Sequence, residues 1–70
     1  MGDLVIRAAN ELGIGEHVFV KELAETPDPL VTVSYPPKAV QSRIPVQCLM
    51  EEDLRQVKII LTDLVRMAQR

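Results

Sequence analysis

The stretch "LVTVSYPPKAV", residues 30–40, decides how this 70-residue chain folds. Its first half alternates, with Val31, Val33 and Tyr35 on one side and Leu30, Thr32 and Ser34 on the other. That period of two is the signature of a strand with one covered face. Pro36 and Pro37 follow, and proline has no backbone donor with which to continue a ladder. Tyr35 therefore reads as the last core residue of a strand. The alternative, a polyproline ligand displayed for a partner, fits poorly because "SYPPK" has neither PxxP nor PPxY spacing.

Further strands are expected on both sides of this one. Residues 43–49 alternate again, with Ile44, Val46 and Cys48 inward and Arg43, Pro45 and Gln47 outward. The pattern predicts a strand there, joined by the seven-residue connection "PPKAVQS", with Pro45 placing it at an edge or a bulge. Upstream, His17 to Val20 predicts a strand with Val18 and Val20 on one face and Phe19 on the other. A helix over residues 15–25, with Val20, Leu23 and Ala24 inside, is the competing reading of that segment. The two prolines of "ETPDP", residues 25–29, make a loop.

Helices close the chain at both ends. In residues 3–12, Leu4, Val5, Ala8, Ala9 and Leu12 share one arc, opposite Asp3, Arg7, Asn10 and Glu11. Gly13 is placed to end that helix in the left-handed conformation. Residues 51–69 predict a longer helix, with Glu51, Glu52 and Asp53 at its start and Arg66 and Arg70 at its end, as the macrodipole prefers. If it starts later, Asp53 and Gln56 have capping-box spacing. The expected fold is a small single α+β domain over residues 1–70. Its order is α-β-β-β-α, with a three-stranded, mostly antiparallel sheet and a long C-terminal amphipathic helix.

That last helix carries the functional expectation. Leu54, Val57, Leu61, Leu64 and Ala68 form a heptad-like stripe, Val65 joins one flank, and Ile60 and Met67 widen the other. The apolar arc spans roughly 160°, wider than a helix resting on a core requires. A chain this short buries about 60% of its unfolded surface and needs another support. Cys48 is the only cysteine, so no internal disulfide is available. A partner chain is the remaining support. The expectation is a non-catalytic interaction or adaptor module that self-associates, or docks a protein partner, through Leu54, Val57, Ile60, Leu61, Leu64, Val65 and Ala68. The alternative is a nucleic-acid-binding regulator touching phosphates with Arg55, Lys58 and Arg66 on the outer side of the same helix. A sequence pI near 5.2 and only two aromatic residues, Phe19 and Tyr35, weigh against it.

Other chemistry is poorly supplied. Catalysis by Cys48 and His17 needs the pair in hydrogen-bond reach with a third group orienting the base, whereas Cys48 falls on an apolar face and reads as a small core residue. Neither a zinc set nor any other metal or cofactor site emerges from one Cys and one His. Consecutive acids on a helix, such as Glu51-Glu52-Asp53, diverge and do not converge on one ion. "GIG", residues 13–15, follows a helix when a phosphate loop would open one. No enzyme activity or small-molecule substrate is inferred. No apolar run approaches membrane-spanning length, and "MGDLVIRAAN" has neither the regions of a secretory signal nor the serine or threonine of a myristoylation signal. A reducing, cytoplasmic compartment is the expectation.

Charge is unevenly spread. Residues 1–37 carry Arg7 and Lys21 against Asp3, Glu11, Glu16, Glu22, Glu25 and Asp28; residues 38–70 carry six bases and four acids. This asymmetry would orient an association.

The segment "SYPPKAVQSRIPVQCLMEEDLRQVKIIL" is similar to the closing segment of the fold-type-I pyridoxal-phosphate α-oxoamine synthases, at Tyr35, Pro36, Arg43, Glu52, Asp53 and Leu54. The resemblance implies a local strand–loop–strand–helix order. Cys48-Leu49-Met50 stand where that family has small polar and histidine residues, and nothing in the chain corresponds to the Schiff-base lysine or the large domain.

Overall fold

Leu30–Tyr35 is the central strand, β2, of an antiparallel sheet ordered β1-β2-β3, with β1 at Val18–Lys21 and β3 at Lys38–Arg43. The computed structural model describes residues 3–70. The helices are α1 (Asp3–Glu11), α2 (Val46–Met50) and α3 (Leu54–Gln69), and a short 3-10 turn, Gly15–His17, leads into β1. The fold is the expected α+β arrangement, α-β-β-β-α with a long C-terminal helix, with α2 as an added short helix before α3.

Register follows the apolar alternation. Val18 lies opposite Val33, Val20 opposite Val31, and Val33 opposite Val40. Val31 and Val33 are fully buried and Val18 nearly so, while Phe19, on the other face, is 59% exposed. The competing helical reading of residues 15–25 therefore fails. The valines are β-branched and keep a strand's period, and Pro27 and Pro29 follow within a few residues.

The third strand corrects the expectation. It runs over residues 38–43, and Tyr35 pairs with Lys38 across a two-residue turn, Pro36-Pro37. "PPKAVQS" is thus a tight hairpin and a strand, where a seven-residue connection was expected. The pattern misled because β3 is an edge strand. Val40 is the only large apolar residue that it turns to the helices, so its alternation is faint. The clearer alternation after it belongs to the strand's exit. Ile44 is buried and its N–H donates to the Pro29 carbonyl at 3.1 Å. Pro45 then precedes α2, whose first N–H, that of Val46, donates to Asp28 Oδ1 at 2.8 Å. Proline at a helix entry wastes no donor, so Pro45 ends the strand. The strand–loop–strand–helix order implied by the synthase resemblance is present as β2, the Pro36-Pro37 turn, β3 and the two helices that follow, with Val46 to Met50 already helical.

Two helix ends share one device. Gly13 sits at φ +75 with its N–H on the Asn10 carbonyl, and the Ile14 N–H reaches the Ala9 carbonyl at 2.9 Å. That is the Schellman arrangement, which satisfies carbonyls left over at a helix C-terminus. After α2 the same bonds recur, Glu52 N–H to Leu49 and Asp53 N–H to Cys48, with Glu52 at φ +51 in the left-handed position. Asp53 then caps the next helix, its Oδ1 accepting from Gln56 N–H at 3.1 Å. The long helix therefore begins at Leu54, three residues after the expected start at Glu51. The acids of "EED" form the joint between two helices.

Both α1 and α3 pack on one face of the sheet, α1 over β1 and α3 over β2 and β3, against each other as well. Val5, Ala8 and Ala9 from α1 meet Val57, Leu61, Leu64 and Ala68 from α3 in a single core with Val31, Val33 and Ile44. Leu12, expected inside, is 38% exposed, because the chain turns at Gly13 and puts Ile14 against the core instead. The other face of the sheet carries Phe19, Lys21, Gln41 and Arg43, all exposed among the described residues.

Candidate functional site

The wide apolar arc of α3 divides in the structure into a centre and two flanks. Val57, Leu61, Leu64 and Ala68 are at most 4% exposed and belong to the chain's own core. Leu54, Ile60 and Val65 are half-buried at its margins. What α3 can still offer a partner therefore lies on its flanks.

The flank towards α1 is closed. Lys58 Nζ donates to Glu11 Oε1 at 2.9 Å, and Arg7 Nε reaches Glu11 Oε2 at 3.3 Å. Lys58 foremost, through that hydrogen bond, holds the Glu11 carboxyl below its ordinary range, against partial desolvation. Further along, Thr62 and Val65 line a small hollow together with Leu12 and Ile14.

The opposite flank is open. At 100° per residue, Ile60 and Met67 lie on the side of α3 away from Lys58 and Val65, above β3, the last strand of the sheet. Met67 is 47% exposed, and Ile60 and Val40 are half-buried. The C-terminal turn of α3 ends near the hairpin tip, where Tyr35, Pro36, Pro37, Lys38 and Arg70 line one depression. β3 is hydrogen-bonded on one side only, so its outer backbone groups form a rim beneath this apolar flank.

The rim is also electrically distinctive. No aspartate or glutamate occurs from Pro29 to Met50, whereas Lys38 and Arg43 stand at the two ends of β3. Sequence reasoning missed this site because it placed the third strand five residues too late. The acid-free run was the available signal.

The basic residues of the alternative reading do come together. Arg55, Lys58 and Arg66 surround Ile59 on the outer side of α3, with Thr62 and Asp63 in the same shallow trough. Ile59, at 48% exposure, is its apolar floor. Lys58 is already paired with Glu11 and Asp63 adds a negative charge, so the trough is electrically mixed and carries only a weak pull on phosphate.

His17 and Cys48 are kept apart. The His17 ring stacks on Tyr35, centroids 4.2 Å apart and 12° from parallel, and its Nδ1 meets the Ser34 carbonyl at 2.9 Å. A carbonyl only accepts, so Nδ1 carries the proton. Cys48 lies on α2, tied by Val46 to Asp28 at the other end of β2, roughly 15 Å of strand away. The two side chains cannot act as nucleophile and base in this fold. Among the described residues, no three His, Cys, Asp or Glu side chains cluster as a metal site would require, and no helix is long and apolar enough to cross a membrane.

Compared with protein-family models, curated proteins and solved structures, the chain matches none.

Proposed function

We propose that this chain is a non-catalytic protein-interaction module, assembling with a protein partner through its C-terminal helix. The centre of the helix, Val57, Leu61, Leu64 and Ala68, holds the module together, and the flank at Ile60 and Met67, with the neighbouring edge of β3, engages the partner. The observation that supports this reading is the pairing of an exposed apolar flank with an unpaired strand edge on the same side of the molecule. Either feature alone is common on protein surfaces. Together they supply both halves of a docking surface, main-chain hydrogen bonds and side-chain burial.

The test is site-specific photo-crosslinking in the native cells. A benzophenone amino acid in place of Met67 is expected to give a discrete adduct, with a second copy or with another protein. The same group in place of Asn10, exposed on α1, is expected to give none. Equal, diffuse labelling from both positions would contradict the proposal.

A further inference from the structure

Resting on the interaction reading above, we propose that the occupant of the β3 rim is an extended peptide that adds as a fourth, antiparallel strand and carries an acidic residue at each end. The backbone of β3 sets the first condition. Six residues, Lys38–Arg43, present one unpaired side, and an incoming strand can satisfy those groups in the pattern that the rest of the sheet already uses. β1 offers four residues to the same purpose.

The side chains set the second condition. Directly paired residues on antiparallel strands share a face. Partners of Val40 and Ser42 would point under the overhanging flank of Ile60 and Met67, where apolar side chains are buried. Partners of Ala39 and Gln41 would point to the open face and stay polar. The residue opposite Lys38 meets a cation whose depression also holds Arg70, and the residue opposite Arg43 meets another. No carboxylate between Pro29 and Met50 competes for either. Read from its N-terminus, the guest has the pattern acidic, apolar, polar, apolar, polar, acidic. Its two acids stand roughly 17 Å apart, matching the length of β3.

A second copy of this chain fits less well. Pairing β3 with itself antiparallel, so that Val40 lies opposite Val40, brings two Lys38 and two Arg43 side chains to one seam with no acid on either strand to offset them. The charge on this rim selects an acidic guest over its own duplicate.

The experiment is fluorescence anisotropy on the full chain with a capped, rhodamine-labelled peptide, Asp-Val-Thr-Val-Thr-Asp, at low salt. A control peptide has lysine at both ends. The acidic peptide is expected to bind about tenfold more tightly than the lysine peptide, from two attractive pairs in place of two repulsive ones. In the doubly reversed protein, Lys38→Glu with Arg43→Glu, the preference is expected to invert. Both substitutions are at exposed positions and leave the core intact, and circular dichroism of the variant verifies folding. Equal binding of both peptides, or none at millimolar protein, overturns the proposal and leaves Lys38 and Arg43 as guards against edge pairing. Concentration-dependent dimerisation that Lys38→Glu strengthens, with no peptide bound, overturns it in favour of a second copy. If the peptide fails while the Met67 crosslink persists, the occupant is wrong and the interaction reading stands. If both fail, that reading falls too.

Discussion

The two long sides of this molecule are built from similar parts and finish differently. On one side α1 covers β1 and is joined to α3 through Lys58, Glu11 and Arg7. On the other, β3 ends the sheet with no element beyond it among the described residues, and α3 leaves Met67 and part of Ile60 above the edge. The closed side shows how a chain of 70 residues with a single cysteine makes a core without an internal disulfide, by setting alanines, Ala8 and Ala9, where two helices approach. The open side shows where that economy of residues runs out. A partner strand there would extend the sheet beyond β3.

The largest expected effect tests whether the two sides share one core. Leu61 is fully buried under both, and Leu61→Ala should cost about 3 kcal/mol in urea unfolding, from lost transfer energy plus a cavity. Val5→Ala, on the closed side, should cost about 2 kcal/mol. Met67→Ala, on the open side, should stay within about 0.5 kcal/mol while weakening peptide binding. A Met67→Ala loss as large as that of Val5→Ala would mean that the open flank is part of the core and would erase the distinction.

Next come the two helix ends that orient the sides. Glu52 and Gly13 occupy equivalent left-handed positions, yet only one is glycine. Glu52→Gly should stabilise the protein by about 1 kcal/mol, and Gly13→Ala should destabilise it by about the same amount. A Cβ at Gly13 meets no atom within 4 Å, so its cost is conformational alone. Opposite signs in thermal melts at matched concentration would support the shared geometry; like signs would break it. Asp53→Ala removes the cap of α3 and should cost about 1 kcal/mol.

The smallest effect belongs to the clasp on the closed side. Glu11 has its folded-state pKa lowered, chiefly by the Lys58 hydrogen bond. A lowered carboxylate contributes stability that is fully present above its unfolded pKa and is lost as pH falls through its folded one. Glu11→Gln should therefore lower the urea midpoint slightly at pH 7, and the gap between variant and parent should close in acid. A gap that persists at pH 2 would assign Glu11 a role other than charge.

Much of this comparison was legible in the sequence. β2, the face of α1 and the stripe of α3 each follow from periodicity, because each buries enough apolar side chains to leave a pattern. β3 left almost none, since this edge strand turns a single large apolar residue, Val40, towards the helices and only half buries it. The stronger alternation of Ile44, Val46 and Cys48 was produced by a strand exit and a helix turn, which share short apolar spacing with a strand. The same limit hid the rim. Lys38 and Arg43 read as ordinary surface charges until the hairpin places them at the two ends of one edge. The width of the α3 arc marked residues in excess of the core, yet only packing shows that the excess is Ile60 and Met67 and that Leu61 and Leu64 are inside.

The central claim is that the two sheet edges are unequal as docking sites, and amide chemical shifts report on both at once. Titrating the isotope-labelled chain with the acidic peptide should move the amides of residues 38–43 and of Ile60 and Met67, leaving residues 18–21 in place. Shifts centred on residues 18–21, or spread evenly over both edges, would contradict it.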